Sequence, residues 1–125
     1  MKLSKELEGK SIFGIPTGNN ARSSTKVIEF QVIKVKRKYF DLVQRGWERN
    51  GANSYCPDTG SLESEIRLGY GGNSGYKFFL NLEEALNENR KEKMIFEINN
   101  STFKFKDLSY EDVLAIHTIL EKNND

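Results

Sequence analysis

The sequence predicts an α+β fold: a small, strongly bent antiparallel sheet or SH3-like β-barrel, with a short covering helix and a C-terminal helix. Short runs of alternating apolar residues are separated by turn formers, two helical patterns come late, and neither a repeat nor a linker divides the chain. Because 125 residues suffice for one core, we expect a single domain over residues 1–125.

The first two strands follow from apolar alternation. Residues 10–15 predict a short strand that ends at Pro16, and a polar loop follows. Residues 27–35 predict a second strand whose apolar side chains change parity, with Ile28, Phe30 and Val32 on one face and Ile33 and Val35 on the other. Such a one-residue shift is typical of a β-bulge, which bends a strand at a barrel corner.

A cationic corner, Lys36-Arg37-Lys38, joins this strand at hairpin distance to the next one, residues 39–43. Residues 44–75 then predict a long, mostly exposed excursion rich in Gly, Asn and Ser. One strand is expected inside it, from the alternation of Ile66, Leu68 and Tyr70. Loops of this length are usually functional or disordered, and both interpretations stay open.

Two helices and a hairpin complete the chain. After a strand at residues 75–80, Asn81 caps a short helix with Glu84 at the capping-box position. Residues 94–98 and 102–106 are expected to pair as a β-hairpin. Ser109 caps the final helix, whose apolar side needs a partner surface and comprises Val113, Leu114, Ile116, Ile119 and Leu120.

Charge is distributed unevenly along the chain although the formal net charge is only +1. Residues 22–49 hold eight Lys and Arg against three Asp and Glu, whereas residues 83–125 hold ten acids against six bases. Two interpretations are open for the basic segment. Its cations either keep sheet edges soluble or form a functional patch.

Three segments carry a resemblance: GKSIFGIPTGNNAR, VIKVKRKYFDL and GYKFFLNLEEAL. They resemble small β-barrel proteins of bacteriophages and other mobile elements, a group with no established activity, over roughly residues 9–90. The resemblance implies a fold and a genetic context rather than a reaction. The chain departs from the expected pattern at Lys36, where a corner glycine would be usual, and this puts the exact hairpin turn in doubt.

Residues for catalysis are almost absent from the sequence. The single histidine, His117, has no serine or cysteine nucleophile tied to it, and together with the single Cys56 it cannot build a usual zinc site or a disulfide. We therefore expect a non-enzymatic protein with no catalytic residue, metal or cofactor. With no apolar run for a membrane span or signal peptide, a monomer in the cytoplasm is expected, in the host cell if a phage encodes it.

With catalysis and metal binding set aside, the remaining functional interpretation is recognition of a partner by the protein surface. Trp47 stands in a polar, glycine-flanked segment between Arg45 and Arg49. A lone tryptophan is most often packed in a core, whereas this setting suits an exposed aromatic anchor, and both interpretations stay open. The predicted binding residues are Lys36, Arg37, Lys38, Tyr39, Arg45, Trp47, Arg49 and Tyr55. Cations mixed with aromatic rings suit two partners equally, single-stranded nucleic acid or an acidic groove on a protein.

Two functional hypotheses follow. In the first, suggested by the resemblance, the chain is a phage accessory protein that evades host defence by inhibiting a host protein or nucleoprotein complex, for instance a CRISPR or other defence nuclease, in the manner of an anti-CRISPR. In the second, it is a small-barrel nucleic-acid-binding module that uses the basic segment 34–49.

Overall fold

The computed structural model describes residues 4–18, 20–69, 74–102 and 104–124. The chain divides into two compact units, which we call the sheet unit, Met1–Lys93, and the C-terminal unit, Met94–Asp125. The predicted α+β class is confirmed, because the sheet unit contains a five-stranded antiparallel sheet curled into a half-barrel and a C-terminal helix follows it. No helix in the described part of the chain is long and apolar enough to cross a membrane.

The strands lie side by side in the order β4-β3-β2-β1-β5. They are β1 (Ser11–Gly18), β2 (Ile28–Val35), β3 (Phe40–Gln44), β4 (Asn53–Tyr55) and β5 (Ser74–Phe79). The α-helices are α1 (Asn20–Ser23), α2 (Glu63–Arg67), α3 (Leu82–Asn99) and α4 (Tyr110–Asn123), and 3-10 turns occupy Lys5–Leu7, Glu48–Asn50 and Phe105–Asp107.

Pro16 lies inside β1 rather than at its end, so the predicted end of this strand is wrong. Tyr76, opposite Pro16 on β5, donates its N–H to the carbonyl of Gly60 at 3.1 Å, and the Pro16–Tyr76 pair therefore exchanges no hydrogen bonds. The nitrogen of Pro16 faces the β2 side, where pairing has already stopped at Gly14. A proline is tolerated where the ladder loses no hydrogen bond.

The predicted β-bulge in β2 is confirmed. Val32 pairs with Leu42 and Lys34 pairs with Asp41, so that Ile33 is the extra residue between them. Ile33 is 48% exposed, while Val35 beyond the bulge returns to the buried face. The parity change in the sequence thus places Phe30, Val32 and Val35 on one side of a bent strand.

The core of the sheet unit is an aromatic cluster. Its buried side chains are Ile12, Phe30, Val32, Val35, Phe40, Leu42, Tyr55 and Tyr76, with Phe78 packed against them. The rings meet edge to face, with centroids 4.8 Å apart for Phe30 and Tyr76 and 5.2 Å apart for Phe40 and Phe78. Such contacts stabilise beyond the buried area alone.

Residues 60–62 bridge the two edge strands of the half-barrel. Leu62 pairs with Tyr55 at the end of β4, and Ser61 pairs with Gly75 on β5. We call Gly60, Ser61, Gly75 and Tyr76 the closure seam. Gly60 has a φ of +73°, and a Cβ there would overlap the carbonyl group of Tyr76, so that only glycine fits.

The described part of the segment between β3 and β5 contains more secondary structure than the single strand that the sequence predicts there. It contributes β4, which pairs with β3, and it places the Tyr55 ring in the core. The predicted strand around Ile66 and Leu68 is wrong: Ile66 lies in α2, whose Glu63 and Arg67 form an ion pair one turn apart at 2.6 Å. Tyr70 lies outside the described residues.

The predicted hairpin of residues 94–98 and 102–106 is also wrong. Residues 94–98 continue α3, which begins after the predicted cap: the Asn81 side chain accepts the N–H of Glu84 at 2.8 Å. No glycine or proline interrupts residues 82–99, so the helix runs on through a short apolar segment whose period does not distinguish helix from strand. Within 102–106, residue 103 lies outside the described residues, and Phe105–Asp107 is a 3-10 turn.

In the C-terminal unit, α4 begins at the predicted cap, where the Ser109 hydroxyl accepts the N–H of Asp112 at 3.2 Å. Large apolar side chains of this unit are exposed, among them Phe96, Ile98, Phe105, Ile119 and Leu120. On α4 itself, the predicted apolar residues Val113, Leu114, Ile119 and Leu120 are each between 42% and 59% exposed.

We expect Phe30→Ala to lower the free energy of unfolding by about 3–5 kcal/mol, because it empties the centre of the aromatic cluster. Ile33→Ala, on the same strand but at the exposed bulge, should cost less than about 1 kcal/mol. Urea unfolding of both variants measures the difference. Equal losses would contradict the assignment of the two faces.

Gly60→Ala should destabilise the sheet unit by about 3 kcal/mol or more, since the new Cβ meets the backbone of Tyr76 in addition to a strained φ. Gly69→Ala is the matched control: its φ is +83° and a Cβ there meets nothing within 4 Å, so that only the conformational cost of about 1 kcal/mol remains. Thermal unfolding separates the two. A similar shift in both variants would show that the seam tolerates a side chain.

Candidate functional site

The loop after β3 holds Trp47 in an exposed position. Arg45 donates its backbone N–H to the carbonyl of Glu29 on β2 at 3.0 Å and its guanidinium to the carboxylate of the same residue at 2.8 Å. Trp47 donates its N–H to the carbonyl of Gln44 at 2.9 Å, and Asn50 donates to the carbonyl of Trp47 at 3.0 Å. Trp47, 58% exposed as a residue, therefore lies at the surface on a hydrogen-bonded loop.

Beside Trp47 lies an open cleft of about 260 Å³, which we call the Trp47 cleft. Its floor is apolar and consists of Phe30, Leu42 and Tyr55, all part of the buried core. Its walls are Gln44, Trp47, Asn50, Gly51 and Asn53. The cleft thus combines an apolar floor, the exposed Trp47 and three residues that carry side-chain amides.

The three amides are available to a ligand. Within the described ranges, no hydrogen bond joins the side chains of Gln44, Asn50 or Asn53 to other residues of the chain. Asn50 and Asn53 are exposed and Gln44 is half-buried. Each amide offers both a donor and an acceptor, so together they can bind a polar edge of a ring that occupies the cleft.

The two arginines beside Trp47 differ in their partners. The Ser11 hydroxyl, which donates to Glu29 at 2.8 Å, and the Arg45 guanidinium together hold the pKa of Glu29 below its usual value. Glu29 therefore stays ionised and keeps Arg45 in place. Arg49 is exposed and forms no ion pair with any described residue, so its charge is directed to solvent.

The structure does not bring the predicted binding residues into one patch. Lys36, Arg37 and Lys38 are exposed in the corner before β3, and Tyr39 is half-buried there, whereas Arg45, Trp47 and Arg49 follow its other end. Five residues of extended strand separate the groups by about 17 Å. Lys36 is also paired with Asp41 at 3.3 Å. The corner and the Trp47 loop are therefore two separate cationic groups.

Tyr55 is not part of an exposed surface, which corrects its place among the predicted site residues. The ring is buried because β4 pairs with β3 and turns it towards Phe30, with ring centroids 6.2 Å apart. It nevertheless lines the floor of the Trp47 cleft. Gln44, Asn50 and Asn53 could not be identified from the sequence, because they line the same cleft only through the pairing of β4 with β3.

No protein-family model matches the chain, and searches of curated proteins and of solved structures give no match either. The geometry of the site therefore carries the functional inference.

We predict that stability falls in alkaline solution partly through Tyr55. Burial, with smaller contributions from Tyr76 and Glu65, raises the pKa of Tyr55 to about 12. The unfolded phenol ionises near its ordinary pKa of about 10, so folding favours the neutral form and stability is lost as pH rises from about 10 towards about 12. Tyr55→Phe should flatten this part of the stability profile. An unchanged profile would show that the ring titrates like an exposed phenol.

Proposed function

We propose that the protein is a non-enzymatic binding protein whose recognition site is the Trp47 cleft together with Arg45 and Arg49. One observation carries the proposal: the only tryptophan of the chain lies exposed on an anchored loop beside an open cleft with an apolar floor and amide-bearing walls. A large ring held in solvent contributes little to the core, but it is well suited to anchor a partner.

Single-stranded nucleic acid is the partner that the cleft favours. Proteins that bind single strands combine aromatic rings, on which bases stack, with cations that meet the phosphates. Trp47 supplies the ring, Arg45 and Arg49 flank it, and exposed cations continue along the β2–β3 hairpin at Lys34 and in the corner 36–38. The separation of about 17 Å between the two cationic groups fits several nucleotides of strand rather than one contact point.

Inhibition of a host protein is the second candidate function, and a different observation favours it. Exposed apolar side chains of the C-terminal unit, with Phe96 and Ile98 each 68% exposed, are typical of a surface that binds another protein. In this candidate the protein is a phage or mobile-element accessory protein that acts in the host cytoplasm on a defence complex such as a CRISPR nuclease. The resemblance to small phage β-barrels supports that context.

A salt titration tests the leading candidate. A fluorescein-labelled single-stranded 15-mer should bind at low salt, and its affinity should fall steeply with salt, since the log–log slope is about −0.7 per neutralised phosphate. Trp47→Ala should weaken binding by about 2 kcal/mol or more at an unchanged melting temperature. Tyr110→Ala, which removes a 78% exposed ring from the C-terminal unit, is the matched control and should bind normally.

Two results would decide against nucleic acid. One is the absence of 15-mer binding at low salt, and the other is binding that Trp47→Ala and Tyr110→Ala weaken equally. A host protein whose capture is lost on Phe96→Ser but not on Trp47→Ala would instead support the second candidate.

A further inference from the structure

We infer that the Trp47 cleft takes one unstacked base of a single strand, and that the protein therefore distinguishes bases from a bare sugar-phosphate chain. The inference rests on the proposed nucleic-acid function and adds the ligand class of the cleft. The basic surface alone would bind any polyanion, because phosphate contacts are independent of the bases.

The size of the cleft fits one ring system. Its volume of about 260 Å³ lies just below the range of about 300–1,000 Å³ that is usual for drug-sized ligands. The floor of Phe30, Leu42 and Tyr55 is almost fully buried and adds a small apolar contact, so the main contact for an inserted planar ring is stacking on the exposed Trp47. A single base satisfies both contacts, whereas a phosphate satisfies neither.

The amides favour a base over an aromatic side chain of a protein. Gln44, Asn50 and Asn53 offer donors and acceptors that make no hydrogen bond to the described part of the chain. A phenyl ring in the cleft would form no hydrogen bond with these amides. A base presents donors and acceptors on its edge, so amides can pair with it while its face stacks on Trp47.

The arginines have unequal roles in this arrangement. Arg49 forms no ion pair with a described residue, so it can bind a phosphate without first breaking one. Arg45 is already paired with Glu29 at 2.8 Å. Arg49→Gln should therefore weaken binding of oligomers with and without bases by the same factor. Trp47→Ala should act only on oligomers that contain bases.

The fluorescence of Trp47 tests the inference in the native protein, because no other tryptophan contributes. The probes are a single-stranded DNA 15-mer and an abasic oligomer of equal length and charge. We expect the DNA 15-mer to quench Trp47 and to bind about tenfold or more tightly than the abasic oligomer, the magnitude expected for a stacked base. The variants lack the tryptophan and are compared by the anisotropy of fluorescein-labelled oligomers: Trp47→Phe should retain part of this preference and Trp47→Ala should lose it.

The outcomes separate the inference from the proposed function. Equal, salt-dependent binding of both oligomers without quenching would overturn the inference and leave a phosphate-binding function intact. Absence of binding by either oligomer at low salt would overturn both the inference and the proposed nucleic-acid function. If Trp47→Ala fails to fold, the comparison of the two oligomers on the native protein still decides.

Discussion

The sheet unit depends on the close backbone approach at the closure seam. Five strands alone would leave β4 and β5 as two open edges, but the carbonyl of Gly60 accepts the N–H of Tyr76 at 3.1 Å and joins them through residues 60–62. That contact exists only because position 60 has no side chain and a positive φ. Closing the edges encloses the rings of Phe30, Tyr55 and Tyr76, and it also removes unpaired strand edges that favour aggregation.

The Trp47 cleft is a consequence of the same closure. Tyr55 and Phe30 form its floor because β4 is held between β3 and the seam, and the floor is already packed, so Trp47 finds no place in the core. The loop that carries Trp47 is also held to β2 by the ion pair of Arg45 with Glu29 at 2.8 Å. A ligand would therefore meet a largely preformed site, which reduces the entropic cost of binding.

Features that depend on near neighbours could be predicted from the sequence. The bulge at Ile33 and the helix caps at Asn81 and Ser109 are local, and each is confirmed. The continuation of α3 to Asn99 was not predictable, because a short apolar run fits either period. The partners at the seam and in the cleft lie far apart along the chain and meet only through strand pairing. The same limit applies to the basic residues of 36–49: they are close together in the sequence, but β3 separates them into two groups in space.

Amide hydrogen exchange followed by NMR tests most directly whether the seam closes the sheet. The N–H groups of Tyr76 and Cys56, which are bonded to Gly60 and Ser61, should exchange as slowly as that of Val32 in β2. The N–H of Gly69, at the exposed end of α2, provides the fast reference. If Tyr76 and Cys56 exchange at the rate of Gly69 while Val32 stays protected, the sheet is held together without the seam, which contradicts closure through residues 60–62.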